Sequence, residues 1–154
     1  MRIDVTPQEV LGLARAGGAD VPPVITSVTG DGDSVRVSAD LRRLDELPGP
    51  LRLAVRLAPI VRAQIRVVGF ADGRATLAVE ANAGGLPAHR LLGLLAEPIE
   101  RALTAQGVPP GAVDVRGDAS VVVDIDALLA AKLPGLTVTG LRMEDGHVHV
   151  EASV

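Results

Sequence analysis

The chain reads as an α+β protein: a strongly bent antiparallel sheet wrapped around a long kinked helix. Three observations carry that reading. Residues 51–68, LRLAVRLAPIVRAQIRVV, alternate apolar and arginine positions. Asp-Gly pairs of the hairpin type recur at Asp31-Gly32, Asp72-Gly73 and Asp145-Gly146. Residues 86–106 place Leu91, Leu92, Leu95, Ile99, Ala102 and Leu103 on one side at helical spacing, with Pro98 in the middle.

The 51–68 stretch is the organising element. Side chains alternate across a strand, so Leu51, Leu53, Val55, Leu57, Val61, Ile65 and Val67 make one face, and Arg52, Arg56, Arg62 and Arg66 line the other. Fully extended, such a strand spans roughly 60 Å. Pro59 cannot donate to a ladder, which predicts an edge, a bulge or a bend there.

The remaining elements follow in order. Arg2–Val5 is a short strand. Thr6-Pro7-Gln8-Glu9 opens a helix: threonine caps, proline suits the first turn, and Glu9 reaches back as a capping-box partner. Gly17-Gly18 stops it. Residues 24–41 form a hairpin on a two-residue Asp31-Gly32 turn of type I′. Residues 41–47 make a short helical turn. The long strand returns through residues 74–83, where Ala75, Leu77, Val79 and Ala81 lie over its odd positions if Ala71-Asp72-Gly73 is a three-residue loop with a G1 bulge. A two-residue Asp72-Gly73 turn would put leucines opposite arginines and is rejected on that ground. Gly84-Gly85 ends this hairpin. The main helix is expected to kink or break at residues 94–97, one turn before Pro98, and Gly107 caps it. Residues 113–116 and 120–125 are strands, Asp126 caps a helix over 127–133, and residues 136–154 form the last hairpin, with Glu144-Asp145-Gly146 as a three-residue loop. Strand, short helix and hairpin thus occur at residues 2–40 and again at 121–154, which reads as a duplication inside one domain spanning residues 1–154.

Composition sets limits. Of 154 residues, 47% are hydrophobic and 22% charged, as in a globular domain, but aromatics are 1%, with Phe70 alone. The core is therefore aliphatic, and base stacking and aromatic cages lack their side chains. A net charge of −4 argues against general nucleic-acid binding. There is no cysteine, hence no thiol catalysis, cysteine-ligated zinc or disulfide. The N-terminus MRIDVTPQEV lacks a basic-then-apolar signal, and no stretch approaches the roughly 18 apolar residues of a membrane span, so a soluble, cytoplasmic chain is expected, with the envelope as the alternative if a leader has been removed.

Sites with chemistry are few. His147, His149 and Glu151 alternate on one strand face and could converge on zinc, manganese or iron; the alternative is that they face water while Val148 and Val150 turn inward. Asp4 with Thr6, and Asp124 with Asp126, occupy equivalent places in the two repeats; they suit a divalent cation, or Thr6 and Asp126 are helix caps. Asp31-Gly32-Asp33 is a fragment of a calcium loop without the other ligands, and so a turn. The arginine stripe suits an anionic or acidic partner, or is a solvated sheet face paired with Glu80. No nucleophile elbow, phosphate-binding loop or dinucleotide fingerprint is present, so no catalytic residue and no cofactor are assigned.

The segments LRLAVRLAPIVRAQIRVV, LPAHRLLGLLAEPIERALTAQG and VVVDIDALLAAKLPGLTVTGLRMEDGHVHVEA give the chain a resemblance to the tubular lipid-binding superfamily, and within it to the LmeA-like phospholipid-binding proteins of actinobacteria. The resemblance covers about two thirds of the chain and implies a lipid-binding scaffold; it transfers no residue role. Those proteins are typically exported, whereas this chain shows no leader. The function expected is non-catalytic binding of a lipid or acyl chain through Leu53, Val55, Leu57, Val61, Ile65, Leu91, Leu95 and Ile99. The alternatives are a homodimeric or other protein-interaction module, and a metal-dependent enzyme at His147 and His149.

Overall fold

Thr6 starts the first helix as its chemistry requires. In the computed structural model, which describes residues 1–18, 23–44, 49–57, 59–82, 87–130 and 132–154, strand β1 (Arg2–Val5) runs into helix α1 (Pro7–Ala16). The Thr6 hydroxyl accepts from the Glu9 N–H at 3.2 Å, and the Glu9 carboxylate accepts from the Thr6 N–H at 2.7 Å. That reciprocal pair satisfies two helix-end donors. The bond from the Thr6 backbone, seconded by the hydroxyl, holds the Glu9 carboxyl below its ordinary value.

The other elements are β2 (Ile25–Asp31), β3 (Ser34–Asp40), a 3-10 turn (Leu41–Arg43), α2 (Gly49–Leu57), β4 (Ile60–Ala71), β5 (Arg74–Asn82), α3 (Ala88–Ala105), β6 (Val113–Val115), β7 (Ser120–Asp124), α4 (Ile125–Ala130), β8 (Thr137–Glu144) and β9 (His147–Ser153). Among the described residues every strand pairing is antiparallel. The α+β class therefore holds. The single wrapped sheet does not. The strands divide into a six-stranded sheet, β2-β3-β4-β5-β7-β6, and a three-stranded one, β1-β9-β8. The sheet is not strongly curled, and α3 packs on β5 and β6.

The reason lies at Pro59. Residues 51–57 are helical, and the strand begins only at Ile60. Leu, Ala and Arg are strong helix formers, and Pro50 sits in the first turn of α2, where its missing N–H costs nothing. A proline disfavours helix in the residue before it, so Pro59 ends the helix and releases the chain into β4. A strand of 12 residues replaces the wrapping strand that the alternation predicted.

The hairpin turns are also tighter than expected. Ala71 pairs with Arg74, so the turn is the rejected two-residue Asp72-Gly73, with φ of 52° and 74°. Positive φ at both positions is the type I′ pattern, matched to strand twist. The extra residue has moved into the strand: the register shifts between Val67 and Gly69, leaving exposed Val68 as a bulge. Beyond it Ile65 lies opposite Val79 and Ala63 opposite Ala81, as the apolar pattern demands. The last hairpin repeats the device. Glu144 pairs with His147 across Asp145-Gly146, φ 52° and 74°, and the shift falls between Val138 and Gly140. In the first hairpin the turn is Gly32-Asp33 rather than Asp31-Gly32, since Asp31 pairs with Ser34.

Two helix ends correct or sharpen the reading. Asp124, not Asp126, caps α4, accepting from the Ala127 N–H at 3.0 Å; Asp126 instead accepts from the Val138 N–H at 3.2 Å and ties α4 to β8. Helix α3 runs unbroken through Pro98, without the expected break at residues 94–97. Its end is a Schellman motif: Gly107, at φ 79°, donates to Thr104 and Val108 donates to Leu103. Gly84 and Gly85, Leu86 and the last part of the 41–47 turn lie outside the described residues.

The two sheets meet through backbone. The Gly146 N–H donates to the Gly32 carbonyl at 2.9 Å, and a Cβ on Gly30 would run into the Gly146 carbonyl. Glycine at residue 30 is thus required by close approach rather than by φ. The main core gathers Leu41, Val55, Val61 and Leu91, with Val24, Leu44, Ala81, Leu94 and Leu95 against it. Leu41 is held there by the bond from its N–H to the Pro59 carbonyl, next to the Asp40–Ile60 strand pair.

Candidate functional site

The large sheet has one apolar and one polar face, and its register shows which side chains share each. Val35 lies opposite Ile65, Val37 opposite Ala63, Ile65 opposite Val79, Val67 opposite Leu77, and Leu77 opposite Val121. At the Val61 end this face is closed by α2, α3 and the 3-10 turn; Val61 and Leu91 are buried. Along the rest of the face Val35, Val37, Ile65, Val67, Leu77 and Val79 are only half-buried.

The expected ligand residues therefore separate. Val55, Val61 and Leu91 are core, Leu95 packs against it half-buried, and Ile65 lies on the half-open face. Ile99 is half-buried on α3. Leu53 and Leu57 point away: on a helix, residues two apart face opposite sides, so burial of Val55 expels both.

The arginine stripe is split in the same way. Arg52 and Arg56 stand on α2, Arg62 and Arg66 on β4. Arg66 reaches Glu80 at 3.8 Å. Arg62 joins Arg36, Gln64 and Glu80 around a shallow cleft of about 360 Å³ on the large sheet. Arg36 was not singled out from the sequence; the β3–β4 register, which sets it opposite Gln64, is the signal that would have found it. Beside this cleft the Gln64 amide donates to the buried Ser34 hydroxyl at 2.7 Å, and that hydroxyl donates to the Asp31 carbonyl at 2.9 Å.

His147, His149 and Glu151 do share a strand, but each is engaged separately. His149 Nδ1 lies 2.5 Å from Asp4 Oδ1, its cross-strand neighbour. Glu151 faces Arg2 at 3.1 Å and Arg142 at 3.9 Å. His147 Nδ1 is 2.9 Å from the Asp145 carbonyl. Among the described residues no group of three or more histidines and acids is placed to hold a metal ion.

Asp40 is the strongest ionic feature near the core. Its carboxylate accepts from Arg42 through both Nε and Nη2 at 2.9 Å and caps the 3-10 turn through the Arg42 N–H at 3.1 Å. The Arg42 side-chain bonds hold the Asp40 carboxyl below its ordinary value. The Asp118 carboxyl is lowered too, chiefly by the Ser120 hydroxyl. These are local caps and turn bonds, the kind that position backbone rather than perform chemistry.

Among the described residues further clefts are lined differently. One of about 400 Å³ lies between the end of α3 and β6, bordered by Glu100, Leu103, Val108 and Asp114. Among the described residues no helix is long and apolar enough to cross a membrane. No protein-family model matches the chain, and no significant match is found among curated proteins or solved structures.

Proposed function

We propose that the protein binds an apolar ligand, a lipid or acyl chain, without catalysing a reaction on it. The observation that carries the reading is the incomplete burial of the large sheet's apolar face, from Val35 and Val37 across Ile65 and Val67 to Leu77 and Val79. This row is aliphatic and carries no charged or aromatic side chain, so it suits a saturated chain rather than a ring or an ion. Burial there is worth about 25 cal/mol for each Å² taken from water. The resemblance to tubular lipid-binding proteins points the same way. So does the recurrence of one device: β1–α1 leans on the β8–β9 hairpin through Val5–Val148, and β7–α4 leans on the β4–β5 hairpin through Asp124–Arg74. A duplicated strand–helix–hairpin unit is part of this reading.

Native mass spectrometry of the protein as purified, repeated after solvent extraction, tests it. An extractable adduct of lipid mass is expected. A clean monomer that also takes up no added fatty acid or phospholipid overturns the reading. A clean dimer without adduct transfers the apolar face to a second copy of the chain.

A further inference from the structure

The outward face of α2 carries leucines where a solvent-facing helix carries polar residues. Leu53 is 65% exposed and Leu57 81%, one turn apart, while Val55 anchors the helix in the core. Arg52 and Arg56 repeat the same spacing beside them, both exposed, and α2 contains no acidic residue. Ile60, just past Pro59, is also exposed. The exposed Arg42 and Arg43 of the neighbouring 3-10 turn are paired with Asp40, so the cations of this face are those of α2.

We propose that this face of α2 docks on an anionic lipid surface, with Leu53 and Leu57 entering the headgroup layer and Arg52 and Arg56 meeting lipid phosphates. Apolar residues beside arginines on one exposed helix face are what an interfacial helix needs: burial of the first and phosphate contact by the second act together. Guanidinium matches phosphate geometry in bidentate fashion. A second copy fits less well, because a two-fold contact would set these arginines against their own copies. A large protein partner fits less well too, since two leucines supply a small part of the roughly 800 Å² that each side of a stable interface buries. The docking needs no cargo in the sheet and stands or falls apart from the ligand reading above.

Vesicle flotation of the full chain tests it, with phosphatidylcholine alone and with about 30% phosphatidylglycerol added. Recovery on the anionic vesicles is expected to exceed that on neutral ones by about tenfold or more, and to collapse in about 0.5 M salt. The Leu53→Ser/Leu57→Ser double variant is expected to lose binding about tenfold, and Arg56→Gln about fivefold. Circular dichroism checks that the double variant stays folded; if it does not, Arg56→Glu replaces it, with loss of binding expected. Equal recovery on both vesicle types, no recovery on either, or unchanged binding by the variants overturns the proposal. So does a wild-type dimer in sedimentation equilibrium that the leucine variant turns into a monomer without any vesicle binding, which would assign the face to a second copy.

Discussion

The residues on either side of Pro59 carry the same alternation and fold differently. Before it, Leu53, Val55 and Leu57 alternate with Arg52 and Arg56; after it, Val61, Ala63, Ile65 and Val67 alternate with Arg62, Gln64 and Arg66. The first half is helix α2 and the second is strand β4. In the strand, alternation does its expected work: Val61 is buried, Ala63, Ile65 and Val67 are half-buried, and Arg62 and Arg66 are exposed. In the helix it does the opposite, burying Val55 and leaving Leu53 and Leu57 in solvent. A period of two over seven residues is also compatible with one buried position per two helical turns. Intrinsic preference decides between them: Leu, Ala and Arg favour helix, while Val and Ile favour strand.

This comparison can be broken at its shared support. Leu91, 2% exposed, shares one buried cluster with Val55 and Val61. Leu91→Ala is expected to cost about 2–5 kcal/mol, read by urea unfolding. If the loss is under about 1 kcal/mol, the two halves do not rest on one core.

Two matched substitutions sharpen it. Val61→Ala loses buried volume and also strand preference, and is expected to cost about 2 kcal/mol. Val55→Ala loses similar burial but gains helix preference of about 0.5 kcal/mol, so its cost should be smaller by about that much or more. Equal costs in the same unfolding series would argue that residue 55 sits in a strand-like setting.

Leu53→Ala and Leu57→Ala test the expelled positions. Both are expected within about 0.5 kcal/mol of wild type, as for exposed residues. Losses of about 2 kcal/mol or more would put these leucines in a core.

The smallest effect is seen only in acid. Asp40 pairs with Ile60 at the start of the strand half and caps the turn that brings Leu41 against Val55. Its folded-state carboxyl is lowered, so its contribution is complete above the ordinary value of 3.8 and is lost as pH falls through the lower folded value. Glu9 and Asp118 act with the same sign. The urea midpoint is therefore expected to be level near neutrality and to fall below about pH 4. Asp40→Asn should lower the neutral midpoint and flatten part of that acid limb; an unchanged acid limb would show that the Arg42 pair does not couple to folding.

The legible parts were those written in adjacent residues. Thr6, Pro7 and Glu9 announce α1 because a capping box closes within three residues. Gly107 announces the end of α3 because only a residue at ease with positive φ closes that turn. The far register of the hairpins was legible as well: Ile65 over Val79 and Val138 over Ala152 follow from matching apolar faces. How that register is reached was not. Placing the odd residue in the turn or in a bulge satisfies the same pattern, and the I′ geometry of Asp72-Gly73 and Asp145-Gly146 favours the bulge. The expected faces were legible only in the strand half. Val61 and Ile65 lie where alternation put them, whereas Leu53 and Leu57 moved from the expected lining to the outside.

By itself, the sequence determined the α+β class, the aliphatic nature of the core, the places of the hairpins and the helix ends at Thr6 and Gly107, because each rests on interactions that close within a few residues or on side-chain period. Only the tertiary structure decided that there are two sheets, that Gly30 meets Gly146, that Asp126 serves β8 rather than its own helix, and which side of α2 is buried. These depend on which distant surfaces compete for the same apolar area, and a local pattern contains no term for that competition.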